Sequence, residues 1–460
     1  MSDYMPEEVI LKILNRLPVR SLLRFRSVCK SWNILISHPS FISAHLQSSL
    51  TRPPNNTSFL LLGCSKKYRV RCFLHYDNAG FGRFKRLKFP NFDLPADYRV
   101  VGSCNGLLCL QLSYYGEDYF NLVLWNPSIQ KYIYLPHLSV SEDDDLNVGF
   151  GFDSRNNDYK VLVVGVDKGG SWIQPYLFSL NGNCSKRVTA IPPNYDFGPD
   201  GSLPFVSGAV HWLGYQKRNA GEFNHAILGF HLSSEEFLVI NLPECLTGFR
   251  PLGLSIMKYG VSSIALSIDP GRGGMHELWV MKEYGVVESW TKVLALDGFR
   301  PGACIPRVLG FRKNGEVLLQ VGKVKMASLD LNSQQTGDSL YLNSQQIELH
   351  GVDVGANLPF LYSYAESLVL LDKADDVSRD SDYYHHIYSS DSDELSGGES
   401  DVNLAADSSD SDELSGGESN VNLARDSSGS DELSGGESDV NLPSDSSGSD
   451  ESSGGESDLA

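Results

Sequence analysis

The chain has 460 residues, 41% of them hydrophobic, and its 57 acidic against 38 basic residues give a formal net charge of −19. That length predicts two or three domains, and the apolar share suffices for a sizeable core. No apolar run nears the roughly 20 residues of a membrane span, no basic-then-apolar start marks a secretory leader, and the eight cysteines stand singly without a C-x-x-C pair; we therefore expect reduced thiols, no metal, no membrane partner and a cytoplasmic and/or nuclear location.

Residues 5–46 read as short helices. Ser2 and Asp3 are capping types, Pro6 suits a first helical turn, and Glu7 and Glu8 follow where the helix dipole favours negative charge. Val9, Ile10, Ile13, Leu14 and Leu17 recur at helical spacing as one apolar stripe, which Pro18 ends. Leu22, Leu23 and Phe25 open a second apolar set among Arg20, Arg24 and Arg26; Val28, Cys29, Trp32, Leu35 and Ile36 continue it to His38-Pro39. Phe41 and Leu46 predict one further turn. Helices this small cannot bury so many apolar side chains among themselves, so this segment is expected to dock on another protein.

The order of these residues carries more than their periodicity. Pro6, the Leu17-Pro18 step, the run Ser21-Leu22-Leu23-Arg24-Phe25-Arg26 and Val28-Cys29-Lys30-Ser31-Trp32 closely resemble the F-box motif, with Met5 where the family more often has Leu. The resemblance implies a Skp-family adaptor as partner and, through it, a cullin and a ubiquitin-conjugating enzyme. It also implies that Pro6, Ile10, Ile13, Leu14, Leu17, Pro18, Leu22, Leu23, Val28, Cys29 and Trp32 form the adaptor face and the packing beneath it. Leu17 and Pro18 lead as contacts because a helix-ending Leu-Pro step projects outward; Trp32 reads as a packing anchor.

After a turn-rich linker over 48–56 the pattern becomes alternating. Strand-like runs at Phe59–Leu62, Val70–His75, Val100–Leu112, Leu122–Trp125, Tyr132–Leu135 and Val161–Val166 are separated by Gly, Pro, Asn and Asp, and no long helical period follows up to residue 371. Glycines near strand starts recur at Gly102, Gly149, Gly208, Gly253 and Gly310, and three units close on a strand and a proline, at Leu135-Pro136, Ile191-Pro192 and Leu242-Pro243. A spacing of about 45 to 60 residues is near the blade length of a kelch-type propeller, giving roughly six blades over 57–371, with a pair of packed sheets as the rival architecture.

A second resemblance covers about residues 57–350. Gly102-Ser103-Cys104-Asn105-Gly106-Leu107-Leu108-Cys109, Leu124-Trp125-Asn126-Pro127, Gly149-Phe150-Gly151-Phe152-Asp153 with Asp158-Tyr159-Lys160-Val161, Gly208-Ala209-Val210-His211-Trp212, and Glu277-Leu278-Trp279-Val280-Met281 with Ser289-Trp290-Thr291 resemble the plant F-box-associated domain, in the right order. In that family the domain is thought to recruit substrates, so the resemblance implies a protein target. On physical grounds Trp125, Trp212, Trp279 and Trp290 are expected to lock neighbouring blades rather than bind a ligand.

No catalytic constellation stands out and no cofactor is expected. Asp269-Pro270-Gly271-Arg272-Gly273-Gly274 lacks the Lys-Ser/Thr of a phosphate loop, Gly149-Phe150-Gly151 lacks a third glycine and a following helix, and His385-His386 has no nearby third ligand. Lys66-Lys67 and Lys85-Arg86-Leu87-Lys88 read as solvated strand edges rather than a nucleic-acid site. The sequence Leu331-Asn332-Ser333-Gln334-Gln335 returns eleven residues later at Leu342, a short duplication placed in a hairpin loop.

The charge is unevenly placed. Residues 389–460 hold 20 acidic residues and one basic residue, Arg425, while residues 1–388 are balanced at 37 of each sign. Within 372–460 a unit beginning Asp393-Glu394 returns at Asp412, Asp431 and Asp450 with a period of 19. Its Asp, Glu, Ser and Gly cannot bury enough surface to offset their ordering entropy, so this tail is expected to be disordered. Ser390, Ser409, Ser428 and Ser447 have Asp three positions on, and Ser396, Ser415, Ser434 and Ser453 have Glu there, a spacing that suits acidophilic kinases. Phosphate on these serines is expected to retard native protein on a phosphate-affinity gel, and a band that phosphatase does not move would exclude it.

These readings combine into a small all-α F-box over 1–47, an all-β domain over 57–371 and an acidic tail. The expected function is that of a non-catalytic substrate-recognition subunit of an SCF-type ubiquitin ligase. Two alternatives stay open: a binding protein or chaperone for basic partners acting through the tail, and an F-box protein that binds the adaptor without assembling a ligase.

Overall fold

The computed structural model describes residues 6–51, 58–66, 69–78, 80–90, 96–114, 120–136, 145–166, 172–189, 195–197, 203–217, 223–246, 253–269, 275–297, 307–321, 325–331, 347–353 and 357–373. The described residues all fall within one compact unit that ends at His386; the expected tail disorder and the eight candidate phosphoserines lie outside the described residues.

Four helices come first: α1 (Glu7–Leu14), α2 (Val19–Phe25), α3 (Lys30–Ser37) and α4 (Pro39–Thr51). Pro6 and Pro18 do the same job at α1 and α2. Each is the residue just before its helix, with extended ψ, and its carbonyl accepts the first amides of the helix: Val9 and Ile10 from Pro6, Ser21 and Leu22 from Pro18. Pro6 therefore stands one position before the first turn rather than inside it. The last helix also departs from expectation: α4 runs for 13 residues instead of one turn, and so enters the segment read as linker. Its Phe41, Ile42, His45 and Leu46 are all buried, which is why it persists. His45 Nε2 donates to the Leu17 carbonyl at 2.9 Å and so pins the Leu-Pro step.

Six antiparallel sheets follow. β1 (Phe59–Lys66), β2 (Arg69–Tyr76) and β3 (Arg83–Arg86) begin the first; β4 (Ala96–Cys104), β5 (Leu107–Tyr114), β6 (Phe120–Asn126) and β7 (Lys131–Tyr134) make the second. β8 (Asp145–Asp153), β9 (Asp158–Val166), β10 (Trp172–Ser179) and β11 (Cys184–Arg187) make the third. In the fourth, the short β12 (Asp196–Phe197) and β13 (Phe205–Val206) both pair with β14 (Ala209–Lys217), followed by β15 (Phe223–His231) and β16 (Glu236–Asn241). β17 (Leu254–Tyr259), β18 (Ser263–Ile268), β19 (Met275–Met281) and β20 (Trp290–Asp297) form the fifth, and β21 (Arg307–Phe311), β22 (Val317–Val321), β23 (Lys325–Leu329) and β24 (Ile347–Asp353) the sixth. β25 (Asn357–Tyr364) then returns to pair with β1. Contacts between β4 and β8, β8 and β14, β14 and β17, β17 and β21, β21 and β25, and β25 and β4 close a ring. This is a six-bladed propeller, closed by the last strand on the first blade, and the two-sheet alternative falls.

Alternation within the strands explains the stacking of blades. In β5, Leu108, Leu110 and Leu112 face the first blade while Leu107 and Cys109 face the third; in β9, Val161 and Val163 face the second blade while Leu162 and Val164 face the fourth. A strand covered on both sides holds an unbroken apolar run, as Leu122–Trp125 of β6 does, and β6 is buried along its whole length. The run Val100–Leu112 is two strands, not one, because Asn105 and Gly106 take φ of 53° and 81° and turn the chain between β4 and β5. Trp125 and Trp212 are fully enclosed at the first-to-second and third-to-fourth junctions, and Trp279 and Trp290 pack at the fourth-to-fifth. Lys85, Arg86 and Lys88 are exposed on or beside the outer strand β3, as the sequence led us to expect.

Polar groups latch the same junctions. Between the third and fourth blades, the buried Asp153 carboxylate accepts from the Ser233 hydroxyl at 2.6 Å and pairs with Lys160 at 2.9 Å, whose ammonium also reaches the Leu232 carbonyl at 2.8 Å and Glu235 at 3.1 Å. Burial alone would raise the Asp153 pKa, but Ser233, Lys160 and Asn156 together hold the carboxyl well below the usual range. At the closing seam Arg312 pairs with Asp77 at 3.3 Å and donates to the Asn78 carbonyl, while the Lys313 amide reaches the same Asp77 at 3.1 Å. Between the fourth and fifth blades, buried His211 donates from Nδ1 to the Pro204 carbonyl and accepts at Nε2 from the Tyr284 hydroxyl at 2.7 Å.

Burial pushes the His211 pKa down to about 4. The unfolded chain takes up a proton near the ordinary pKa of about 6.5 whereas the folded chain does not, so the stabilisation is complete above that value and is lost as pH falls toward 4. From pH 7 to 4.5 this histidine alone is expected to cost on the order of 2 kcal/mol. Urea unfolding of the wild type against His211→Gln across that range checks it: the variant should show the smaller acid loss, and equal losses would exclude His211 as a source.

Candidate adaptor interface

The helices present two kinds of apolar residue. Leu14 and Leu22 are buried and, with Val19, Ile36, Phe41, Ile42 and Leu46, make the helices' own core. Ile10, Leu17, Leu23 and Trp32 are half-buried against it; Trp32 lies 5.4 Å from Phe25, ring centre to ring centre. Pro6, Ile13, Pro18, Val28 and Cys29 are exposed. The eleven sequence candidates therefore divide into an outer set of five, an intermediate four and an inner pair. Of the two leading contacts, Pro18 stands outside while Leu17 is partly covered, its carbonyl held by His45.

Exposure is high where water is least suited to the side chain: 47% for Ile13, 63% for Val28 and 69% for Ile34. Ile34 was missed by sequence reasoning, although it belongs to α3 and points away from the packed Trp32 and Ile36; Val9 on α1 is exposed as well. Large apolar side chains left in water on α1, on the turn between α2 and α3 and on α3 have the character of a docking surface. Cys29 caps α3, and its exposed thiol lies 3.1 Å from the Ser31 hydroxyl, which first, with the Trp32 amide next, lowers its pKa. Buried Cys104, by contrast, is pushed up to about 12 by desolvation. Among the described residues, no group of three or more His, Cys, Asp or Glu side chains is placed to hold a metal.

The helices do not stand apart from the propeller. Their core runs without a break into the apolar cluster between the second and third blades, which includes Leu107, Leu124, Val148, Val161 and Phe178. Burial raises the pKa of the Glu366 carboxyl, and Lys85 on β3 and Arg20 on α2 both pull against that rise.

Comparison with known proteins agrees with this division. Residues 60–328 match the F-box associated beta propeller domain and residues 3–43 the F-box domain. The chain belongs to the plant F-box proteins that carry an F-box-associated beta propeller. Similar proteins in Arabidopsis thaliana include the F-box protein At3g07870, 28% identical over 74% of this chain and 88% of that one, and the F-box/kelch-repeat protein At3g23880, 27% identical over 64% and 80%. The solved structure of TolB from Acinetobacter baumannii superposes with a TM-score of 0.36 at 12% identity, covering 70% of this chain and 72% of that one, and nothing further rests on it.

Proposed function

We propose that this chain is the target-recognition subunit of an SCF-type ubiquitin ligase and contributes no catalytic group of its own. Its F-box would hold a Skp-family adaptor, and through it a cullin, while the propeller holds the protein to be modified. One observation carries this reading: α1 to α3 expose Ile13, Val28 and Ile34 to water although their other side is sealed into a core shared with the propeller. An apolar surface so placed is supplied to a partner, and its hot spots should be these few anchors. Transfer then depends on proximity, with the acceptor held near the charged conjugating enzyme rather than activated by a side chain of this chain.

The test is co-elution of the full chain with a Skp-family adaptor and a cullin. A ternary complex is expected. No adaptor binding overturns the reading, and an adaptor complex that excludes the cullin favours the alternative of an F-box protein outside a ligase. The 20 acidic residues of 389–460 support a separate reading as a docking tail for basic partners; removing 389–460 should leave the adaptor complex intact.

A further inference from the structure

Residues 365–373, which follow the closing strand β25, have no part in the function above. They lie against the second blade. Gly106 is the place of closest approach: a side chain there would put its Cβ 2.4 Å from Ser367 Oγ and 2.5 Å from the Ala365 carbonyl, and its φ of +81° also favours glycine. At the end of β6, the fully buried Asn126 amide donates to the Ser367 carbonyl at 3.0 Å and to the Val369 carbonyl at 2.8 Å, while its oxygen accepts from the Ser128 amide at 2.9 Å. Farther along, Lys131 donates to the Lys373 carbonyl, and the Lys373 ammonium reaches Asn181 of the third blade at 3.0 Å.

The side chains of the same segment enter the apolar cluster that the helices share with the second and third blades. Leu368, Val369 and Leu370 are 0%, 8% and 1% exposed and share one apolar cluster with Leu14, Leu22 and Phe41 of the helices. The backbone is thus bonded to the propeller while the side chains are buried in the cluster where helices and blades meet. Domains joined through one stretch of chain move relative to each other unless an extensive apolar interface forbids it; here a second stretch, arriving from the ring-closing strand, adds Leu368, Val369 and Leu370 to the interface that helices and blades share.

We propose that residues 365–373 are a fixed coupling between the F-box and the propeller, locked by the Asn126 amide, and that Asn126 is thereby a positioning residue for ubiquitin transfer, a role that rests on the ligase reading above. The lock holds the adaptor end and the target end at one separation, which is what a reaction run by proximity requires.

Fluorophores introduced through unnatural amino acids at Gln47 on α4 and at Val261 in the fifth blade, both exposed, report that separation by single-molecule energy transfer in the full chain. The wild type should give one narrow distribution. Asn126→Asp keeps the acceptor for Ser128 and loses the bonds donated to the Ser367 and Val369 carbonyls; it should roughly double the width of the distribution, measured well below the variant's own melting transition, which the buried carboxyl lowers, while adaptor affinity stays unchanged. Should Asn126→Asp fail to fold, Lys131→Met with Lys373→Met removes the two bonds at the other end of the segment and is read in the same way. A broad wild-type distribution, or an unchanged one in a folded variant, overturns the coupling. Adaptor capture is measured on the same samples: a wild type that captures no adaptor rejects the ligase reading and leaves the distance result standing.

Discussion

Replacing Ile13 and Val28 together by Asp is expected to weaken capture of a Skp-family adaptor by at least about 100-fold and to leave the propeller folded, since apolar hot spots are each worth about 2 kcal/mol or more. Both side chains are about half exposed or more, so neither change opens a cavity in the core. The paired control is Leu22→Asp, which puts a charge at a position with no exposure and should unfold the helices outright. Retained capture by the Ile13/Val28 variant, measured by surface plasmon resonance on protein with unchanged circular dichroism, would reject the outer set as the interface. Loss of capture with a normal melting curve separates docking from folding, which a change at Leu17 could not do because that residue is partly packed and its carbonyl is bonded to His45.

The second large effect is expected at the seam between the third and fourth blades. Asp153→Ala should lower stability by about 3–5 kcal/mol, because it leaves the nearly buried Lys160 ammonium without its main counter-charge. The same change strands the Ser233 hydroxyl and the Asn156 amide, which both donate to this carboxylate. Replacing the pair by apolar residues, Asp153→Leu with Lys160→Met, should cost less than the single change, since no charge is then left buried. Urea unfolding followed by tryptophan fluorescence measures both. A single variant no less stable than the double would show that Glu235 alone, 3.1 Å from Lys160, satisfies the ammonium.

Much of this architecture is legible in the residues. The six blades follow from strand spacing, the Trp positions from their place in apolar runs, and the F-box from the order of its prolines, leucines and Trp32. What the residues do not disclose is side. Ile13 and Leu14 are neighbours on one helix and equally apolar, yet one is 47% exposed and the other 1%, because only Leu14 joins the cluster that holds Val19, Leu22, Ile36 and Phe41. The reach of α4 was hidden for a related reason: its 13 residues carry a weak amphipathic pattern, and burial against the rest of the unit holds them helical.

Asn126 marks the limit most clearly. Next to Pro127 it reads as a turn residue, and it does form a turn through Ser128, but its amide bonds carbonyls 241 and 243 positions away. By itself the sequence determined the local matters: where the apolar strand runs lie, which residues punctuate them, and which short helices hold more apolar surface than they can bury. Only the tertiary structure decided that β25 closes the ring on β1, that residues 365–373 join the F-box to the second blade, and which face of the helices is left to a partner. These are pairings of residues far apart in the chain, and no local periodicity records them, because the energy that selects them appears only once both sides are in place.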